Sequence, residues 1–212
     1  MENENMKVYI IRYAIFVGCL CFGLYSVGAS AQYVAPTNPF GAGVVRAFLL
    51  GDVKIRNRNW GKCLNLRSHF NREGGHPDVF GCLTHTDQEW VLSIVGSSPQ
   101  QDRGTVTLSN KSWGKCLMLS SAEAFNGGVL SAGNCSNSAN QQWLVEPVGM
   151  VQTADGPRTG TGWFKLRNVG HGLCLNLQSW GAHEGGLPNV WGCASHADQE
   201  WFIMHTNEVW PD

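Results

Sequence analysis

Six cysteines stand in the body of this chain, and thiols can do two kinds of chemistry: they oxidise to disulfides or they bind a soft metal. They fall into three pairs, Cys63 with Cys82, Cys116 with Cys135 and Cys174 with Cys193, each 19 residues apart. Zinc sites are built from close Cys-x-x-Cys pairs, and the sequence has none. The fixed separation selects one pairing among the many open to six thiols, a bridge within each pair. Each bridge closes a loop of about 20 residues, worth on the order of 3 kcal/mol of chain entropy. His85 and His196 stand in equivalent places, but no Cys, Glu or second His lies at ligand spacing, so they read as loop residues. No metal and no cofactor are expected. Catalytic motifs are missing too: there is no Gly-x-Ser-x-Gly, no His-Glu-x-x-His and no phosphate loop. His183-Glu184 runs into Gly185-Gly186 rather than a metalloprotease helix. The chain does not read as an enzyme.

The elements that must position these groups come in three copies. Six residues after each second cysteine stands Gln-x-Trp, as Gln88-Glu89-Trp90, Gln141-Gln142-Trp143 and Gln199-Glu200-Trp201. Spacing held so strictly through varied sequence marks an internal repeat. Each copy opens with an alternating run (Val53-Lys54-Ile55-Arg56, Val106-Thr107-Leu108, Phe164-Lys165-Leu166), which predicts a half-buried strand. Asn57, Asn110 and Asn168 follow, then Gly61, Gly114 and Gly172, which is turn chemistry. The chain returns as Cys-Leu-Asn-Leu or Cys-Leu-Met-Leu, with Leu64 and Leu66, Leu117 and Leu119, and Leu175 and Leu177 on the core face. A loop ending in Gly74-Gly75, Gly127-Gly128 or Gly185-Gly186 leads to a third strand at the second cysteine. A fourth strand starts at the Trp and continues through Leu92, Val145 or Ile203. Twelve short strands in three units are expected, with Trp90, Trp143 and Trp201 near a shared centre. The Val148 to Gly162 connector reads as a surface loop.

Composition agrees with an all-β protein. Of 212 residues 26 are Gly and 9 are Trp, while only 15% are charged. A formal net charge of −1 supplies no basic field for nucleic acid. Lys7 and Arg12 precede an apolar run from Tyr13 to Val27 that ends at Ala29-Ser30-Ala31, the pattern of a signal peptide over residues 1–31. The run is short for a membrane anchor, and Phe16-Val17-Gly18-Cys19 makes a poor lipoprotein site. The expected product is secreted, or held in a periplasm or at a cell surface, without stable membrane insertion. Cys19 and Cys21 leave with the signal, and the six others enter an oxidising compartment. Residues 32–47 read as a linker or arm, 48–206 as the folded domain and 207–212 as a tail, although Trp210 could pack. Asn110-Lys111-Ser112 and Asn134-Cys135-Ser136 fit the N-glycosylation pattern.

Three Gln-x-Trp repeats with matching cysteines resemble the ricin-type lectin family over about Phe48 to His205. The resemblance implies a β-trefoil: a six-stranded barrel capped by three hairpins, with pseudo-threefold symmetry and up to three shallow sugar sites. Family sites take a polar residue two after the first cysteine, another four before the second, and an aromatic platform two before the second. An Asn-Gln pair completes them. In the first repeat these places hold Asn65, Asp78, Phe80, Asp87 and Gln88, and in the third Asn176, Asn189, Trp191, Asp198 and Gln199. In the second they hold Met118, Ser131, Gly133, Asn140 and Gln141, which lack the first polar group and the platform, so this site reads as dead. The first and third repeats depart from the family by exchanging carboxylate and amide: Asn65 and Asn176 replace the usual acid, Asp87 and Asp198 the usual amide. The resemblance implies a carbohydrate-binding protein whose partners are cell-surface glycans or glycoproteins. It extends to the lectin subunits of cytolethal distending toxin, which would give the chain a separate toxin or catalytic partner. A free-standing secreted lectin and a sugar-blind interaction module are the alternatives.

Overall fold

A computed structural model describes the backbone over residues 51–95, 104–153, 156–159 and 162–206, and the side chains over the same residues apart from 150–159. The expected signal peptide over 1–31, the expected arm over 32–47 and the expected tail over 207–212, with Trp210, lie outside the described residues. The first repeat forms β1 (Asp52–Asn57), β2 (Lys62–Asn65), β3 (Asp78–Gly81) and β4 (Trp90–Ile94). The second forms β5 (Thr105–Asn110), β6 (Lys115–Met118), β7 (Ser131–Asn134) and β8 (Gln142–Pro147). The third forms β11 (Trp163–Asn168), β12 (Cys174–Asn176), β13 (Asn189–Trp191) and β14 (Trp201–His205). The first and last strands of the three repeats close a ring, β1–β4–β5–β8–β11–β14 and back to β1, every pair antiparallel. Closure removes the open edges that a flat sheet would leave. The hairpins β2–β3, β6–β7 and β12–β13 cap the ring. This is the β-trefoil.

The connector departs from the sequence expectation. It carries an additional two-stranded hairpin outside the twelve repeat strands, β9 (Met150–Thr153) with β10 (Gly156–Thr159), where a plain surface loop was expected. The run Met150-Val151-Gln152-Thr153 and the Gly156-Pro157 that follows show no apolar alternation to announce it.

Register explains why the repeat is so strict. Trp90 faces Asn110, Trp143 faces Asn168, and Trp201 faces Asn57 across the barrel seams. All three indoles are fully buried, and their N–H groups donate to Leu64, Leu117 and Leu175 carbonyls at 3.0, 3.1 and 3.0 Å. A buried indole must satisfy its one donor, and here the same bond pins each capping hairpin to the core. The three asparagines do more than turn the chain. Asn57, Asn110 and Asn168 are buried, and each Nδ2 donates to a carbonyl in the loop before the neighbouring repeat's Gln-x-Trp: Asp198, Asp87 and Asn140, at 2.9, 2.8 and 2.9 Å. Asn57 Oδ1 also accepts from the Asn59 and Trp60 amides within its own turn. Each repeat is thus tied to the next through one amide side chain. Because Asn110 is buried and so bonded, its glycosylation pattern is sterically closed.

The disulfides are Cys63–Cys82, Cys116–Cys135 and Cys174–Cys193, one inside each repeat. Each ties its β2-type strand to the end of its β3-type strand. The glycine pair of each long loop has two distinct causes. The first member has positive φ (75°, 91° and 77° at Gly74, Gly127 and Gly185), which only glycine adopts without strain. The second lies against backbone: a Cβ on Gly75, Gly128 or Gly186 would meet a carbonyl oxygen at 1.9, 1.9 or 2.0 Å.

Candidate functional site

In the third repeat the chain forms an open cleft of about 400 Å³. Asn176 at the end of β12 forms its floor, Trp191 at the end of β13 its rim, and Asp198 and Gln199 in the 3₁₀ turn before β14 its far wall. Trp191 is 37% exposed, a large ring held at a cleft edge. Asn189 is not on the wall. It faces Asn176 across the β12–β13 ladder, is fully buried, and its Oδ1 accepts from Asn176 Nδ2 at 2.7 Å. Its own Nδ2 donates to Gln178 Oε1 at 3.0 Å. Asn189 therefore orients Asn176 and Gln178 from beneath. Gln199 is buried and committed to backbone, accepting from the Ala194 amide at 2.7 Å and donating to the Gly192 carbonyl at 3.0 Å.

The first repeat repeats this plan with different contents. Asn65, Phe80, Asp87 and Gln88 line a cleft of about 210 Å³. Asp78 lies below it, fully buried, with Oδ1 accepting from Asn65 Nδ2 at 2.7 Å and Oδ2 paired with Arg67. Gln88 bonds the Leu83 amide and the Gly81 carbonyl, as Gln199 does in its repeat. Arg67 stands where Gln178 stands in the third repeat, and its guanidinium lies 5.0 Å from the Phe80 ring centre. With Leu83 where the third repeat has Ala194, the first cleft is narrower and more apolar.

Burial pushes the Asp78 carboxyl up from its ordinary value, against the opposing pull of the Asn65 hydrogen bond and the Arg67 charge. A raised folded pKa means the native state holds the proton more tightly than the unfolded chain does. Stability from this group is therefore fully present below the unfolded value of about 3.9 and is lost as pH rises through the folded one. Asp78→Asn, which installs the third repeat's residue, cannot titrate. The stability difference, wild type minus variant, is expected to grow on acidification through that window in urea unfolding at a series of pH values; a difference that shrinks would contradict this.

In the second repeat Met118 and Gly133 occupy the places of the polar residue and the platform. A Cβ on Gly133 would meet Glu73 Oε1 at 2.5 Å and Met118 Sδ at 2.7 Å, so these two flexible side chains fill the space where a platform would stand. Gln141 keeps the structural bonds of its counterparts, to the Ser136 amide and the Asn134 carbonyl.

Several lining residues were not read from the sequence as part of a site, His85 and His196 having been read only as loop residues. Arg67, Leu83 and His85 face the first cleft, and Asn126, Gln178, Ala194 and His196 the third. Asn126 comes from the second repeat: its Oδ1 accepts from the Gly192 amide at 2.7 Å. Glu184 and Glu73, in the same loop position, accept from the Gly81 amide at 2.9 Å and the Asn134 amide at 2.7 Å. Each cleft edge is thus closed by the neighbouring repeat. Lys62 and the Gly81 amide together hold the Glu184 carboxyl below the usual carboxylate range. Among the described residues no group of three His, Cys, Asp or Glu side chains is arranged to hold a metal ion.

Residues 51–155 match the family model of the ricin-type beta-trefoil lectin domain. No curated protein sequence matches the chain. Among solved structures, the designed threefold-symmetric protein ThreeFoil superposes with a TM-score of 0.61 at 21% identity, over 73% of this chain and 98% of that one. The ricin B-like lectin of Macrolepiota procera, solved with lactose, gives 0.53 at 17% identity, over 73% of this chain and 94% of that one. A mosquitocidal holotoxin gives 0.59 at 19% identity, over 74% of this chain but only 17% of the toxin. These likenesses are of fold.

Proposed function

We propose, from the premise that this chain carries a ricin-type β-trefoil lectin domain, that it binds glycans through the clefts of its third and first repeats. The observation that carries this reading is the third cleft, where an exposed indole, a carboxylate and a fixed amide line one concavity. A pyranose has an apolar face and a fan of hydroxyls. Trp191 offers the stacking surface, while Asp198 accepts from and Asn176 bonds to adjacent hydroxyls. Such a site works by binding alone and leaves the glycosidic bond intact. A few hydrogen bonds in a wet cleft give affinities of about millimolar, and two clefts on one rigid body gain by avidity on a dense glycan surface.

We further read the protein as secreted. The pattern over residues 1–31 and three disulfides suit an oxidising compartment. Delivery of a separate toxin or catalytic chain to glycan-bearing cells is the finer reading. It rests on fold-level analogy, and a free-standing secreted lectin fits the same clefts. Isolation of the native protein with a tightly bound second chain would favour delivery.

The direct test is a glycan array with the mature protein and with Trp191→Ala and Asn176→Ala. Losing the platform is expected to weaken binding about tenfold or more. Unaltered binding by both variants would remove the third cleft from the account.

A further inference from the structure

Among the described residues Trp180 is the most exposed indole, and the site described above leaves it unused. It is 55% exposed, yet its position is fixed. It sits in the 3₁₀ turn Ser179–Gly181, and its indole N–H donates to Gln178 Oε1 at 2.7 Å. The same oxygen accepts from Asn189, which in turn holds Asn176 on the cleft floor. Gln178 itself lines the cleft. One continuous hydrogen-bond chain therefore runs from the cleft floor to this ring, whose N–H edge is held by the cleft-lining Gln178. The turn beneath it is rigid as well: the Gly181 amide donates to the Gln178 carbonyl at 2.9 Å, and Gly186 packs on Gly181 so closely that a Cβ would meet its carbonyl oxygen at 2.0 Å.

The other repeats sharpen the point. The position six after the first cysteine holds Trp180 in the third repeat, His69 in the first and Ala122 in the second. The two repeats that keep an aromatic platform also keep a ring here, and the one that has lost its platform has lost this ring. In the first repeat His69 lies against Phe70, with ring centres 4.2 Å apart and the planes tilted by 48°, so it already has a ring neighbour. Trp180 has no ring partner among the described contacts. The third cleft is also nearly twice the volume of the first, with Gln178 and Ala194 in place of Arg67 and Leu83.

We propose that Trp180 is a second stacking platform, and that the third repeat recognises an oligosaccharide, one sugar on Trp191 and a following sugar on Trp180. This rests on the reading of the third cleft as a glycan site. Gln178 then has two tasks, orienting the Trp180 ring and bonding a hydroxyl between the two sugars. A preformed exposed indole gains most of a sugar's stacking energy because little ordering remains to be done on binding. The ligand class is a linear or branched glycan of at least two residues, and a single sugar uses only half the surface.

The experiment compares ligands of different length on the full mature chain. Mono-, di- and trisaccharides of galactose, N-acetylglucosamine, mannose and xylose are titrated against wild type, Trp180→Ala, Trp180→Phe and Trp191→Ala. Trp180→Ala is expected to bind the monosaccharide of the recognised series within about twofold of wild type and its di- and trisaccharides about tenfold more weakly. Trp180→Phe keeps a ring and restores most of the loss. Trp191→Ala weakens every length. Equal loss at all lengths in Trp180→Ala, or none at any, would overturn the second platform while leaving the cleft in place. A wild-type protein that binds none of the sugars would overturn both readings.

Discussion

Trp201→Ala is expected to cost about 3–5 kcal/mol of folding stability, the largest effect of any single substitution in the domain. The indole is fully buried where β14 meets both β1 and β11, paired with Asn57 and Phe164. Removing it opens a cavity between three strands whose backbones are fixed by the closed ring, so little collapse can fill it. It also leaves the Leu175 carbonyl without its donor, releasing the third repeat's capping hairpin. Typical domains are stable by only about 5–15 kcal/mol, so the variant would sit near its threshold. Urea unfolding should show the midpoint falling sharply. Trp90→Ala and Trp143→Ala should behave alike, since each has the same register partner and the same type of carbonyl acceptor. A loss under about 1 kcal/mol would mean that the three indoles do not hold the centre together.

The second large effect is expected at a residue outside any cleft. Gly128→Ala should cost roughly 1–3 kcal/mol and weaken sugar binding in the third repeat, although Gly128 belongs to the second. A Cβ there would meet the Glu123 carbonyl oxygen at 1.9 Å and its carbon at 2.8 Å. Both are backbone atoms, so the loop itself must move. That loop is stapled to the strand carrying Trp191: the Gly127 amide donates to the Val190 carbonyl at 2.8 Å and the Val190 amide to the Gly128 carbonyl at 2.9 Å. Asn126 then caps the Gly192 amide, and Gly127 lies 3.5 Å in Cβ terms from the Trp191 ring. Gly75→Ala is the control. Its clash is equally severe, but its loop is bonded to Ala132 in the second repeat, away from the third cleft. Thermal unfolding with a glycan titration separates the two: both variants lose stability, and only Gly128→Ala loses third-cleft affinity. Equal binding in both would deny that the neighbouring repeat builds the cleft edge.

How much of this was legible in the sequence depends on how far each interaction reaches along the chain. The disulfides, the Gln-x-Trp anchors and the paired leucines act within one repeat at fixed spacing, so triplication exposed them. Asn57, Asn110 and Asn168 were legible only as turn residues, because their second task is performed in another repeat. The loop residues Glu73, Asn126 and Glu184 were invisible for a related reason: the bond they make is to a backbone amide, which two kinds of acceptor satisfy equally. Asp78 and Asn189 were expected among the sugar-binding residues. Their strands place them directly opposite Asn65 and Asn176, where they are buried and work from beneath. Arg67 and Gln178 share one position four after the first cysteine, yet they give the two clefts different widths, a difference no spacing rule carries. The β9–β10 hairpin escaped because its sequence offers glycine and proline without alternation.

The central claim, that the third repeat's cleft receives the sugar, is tested most directly by titrating the isotopically labelled mature protein with the strongest glycan from the array and following side-chain resonances. The account predicts that the Trp191 indole and the Asn126 and Asn176 amides shift together and saturate with one affinity, while the Met118 methyl stays still. Saturable shifts confined to residues away from this cleft, with Trp191 and Asn176 unmoved, would contradict it.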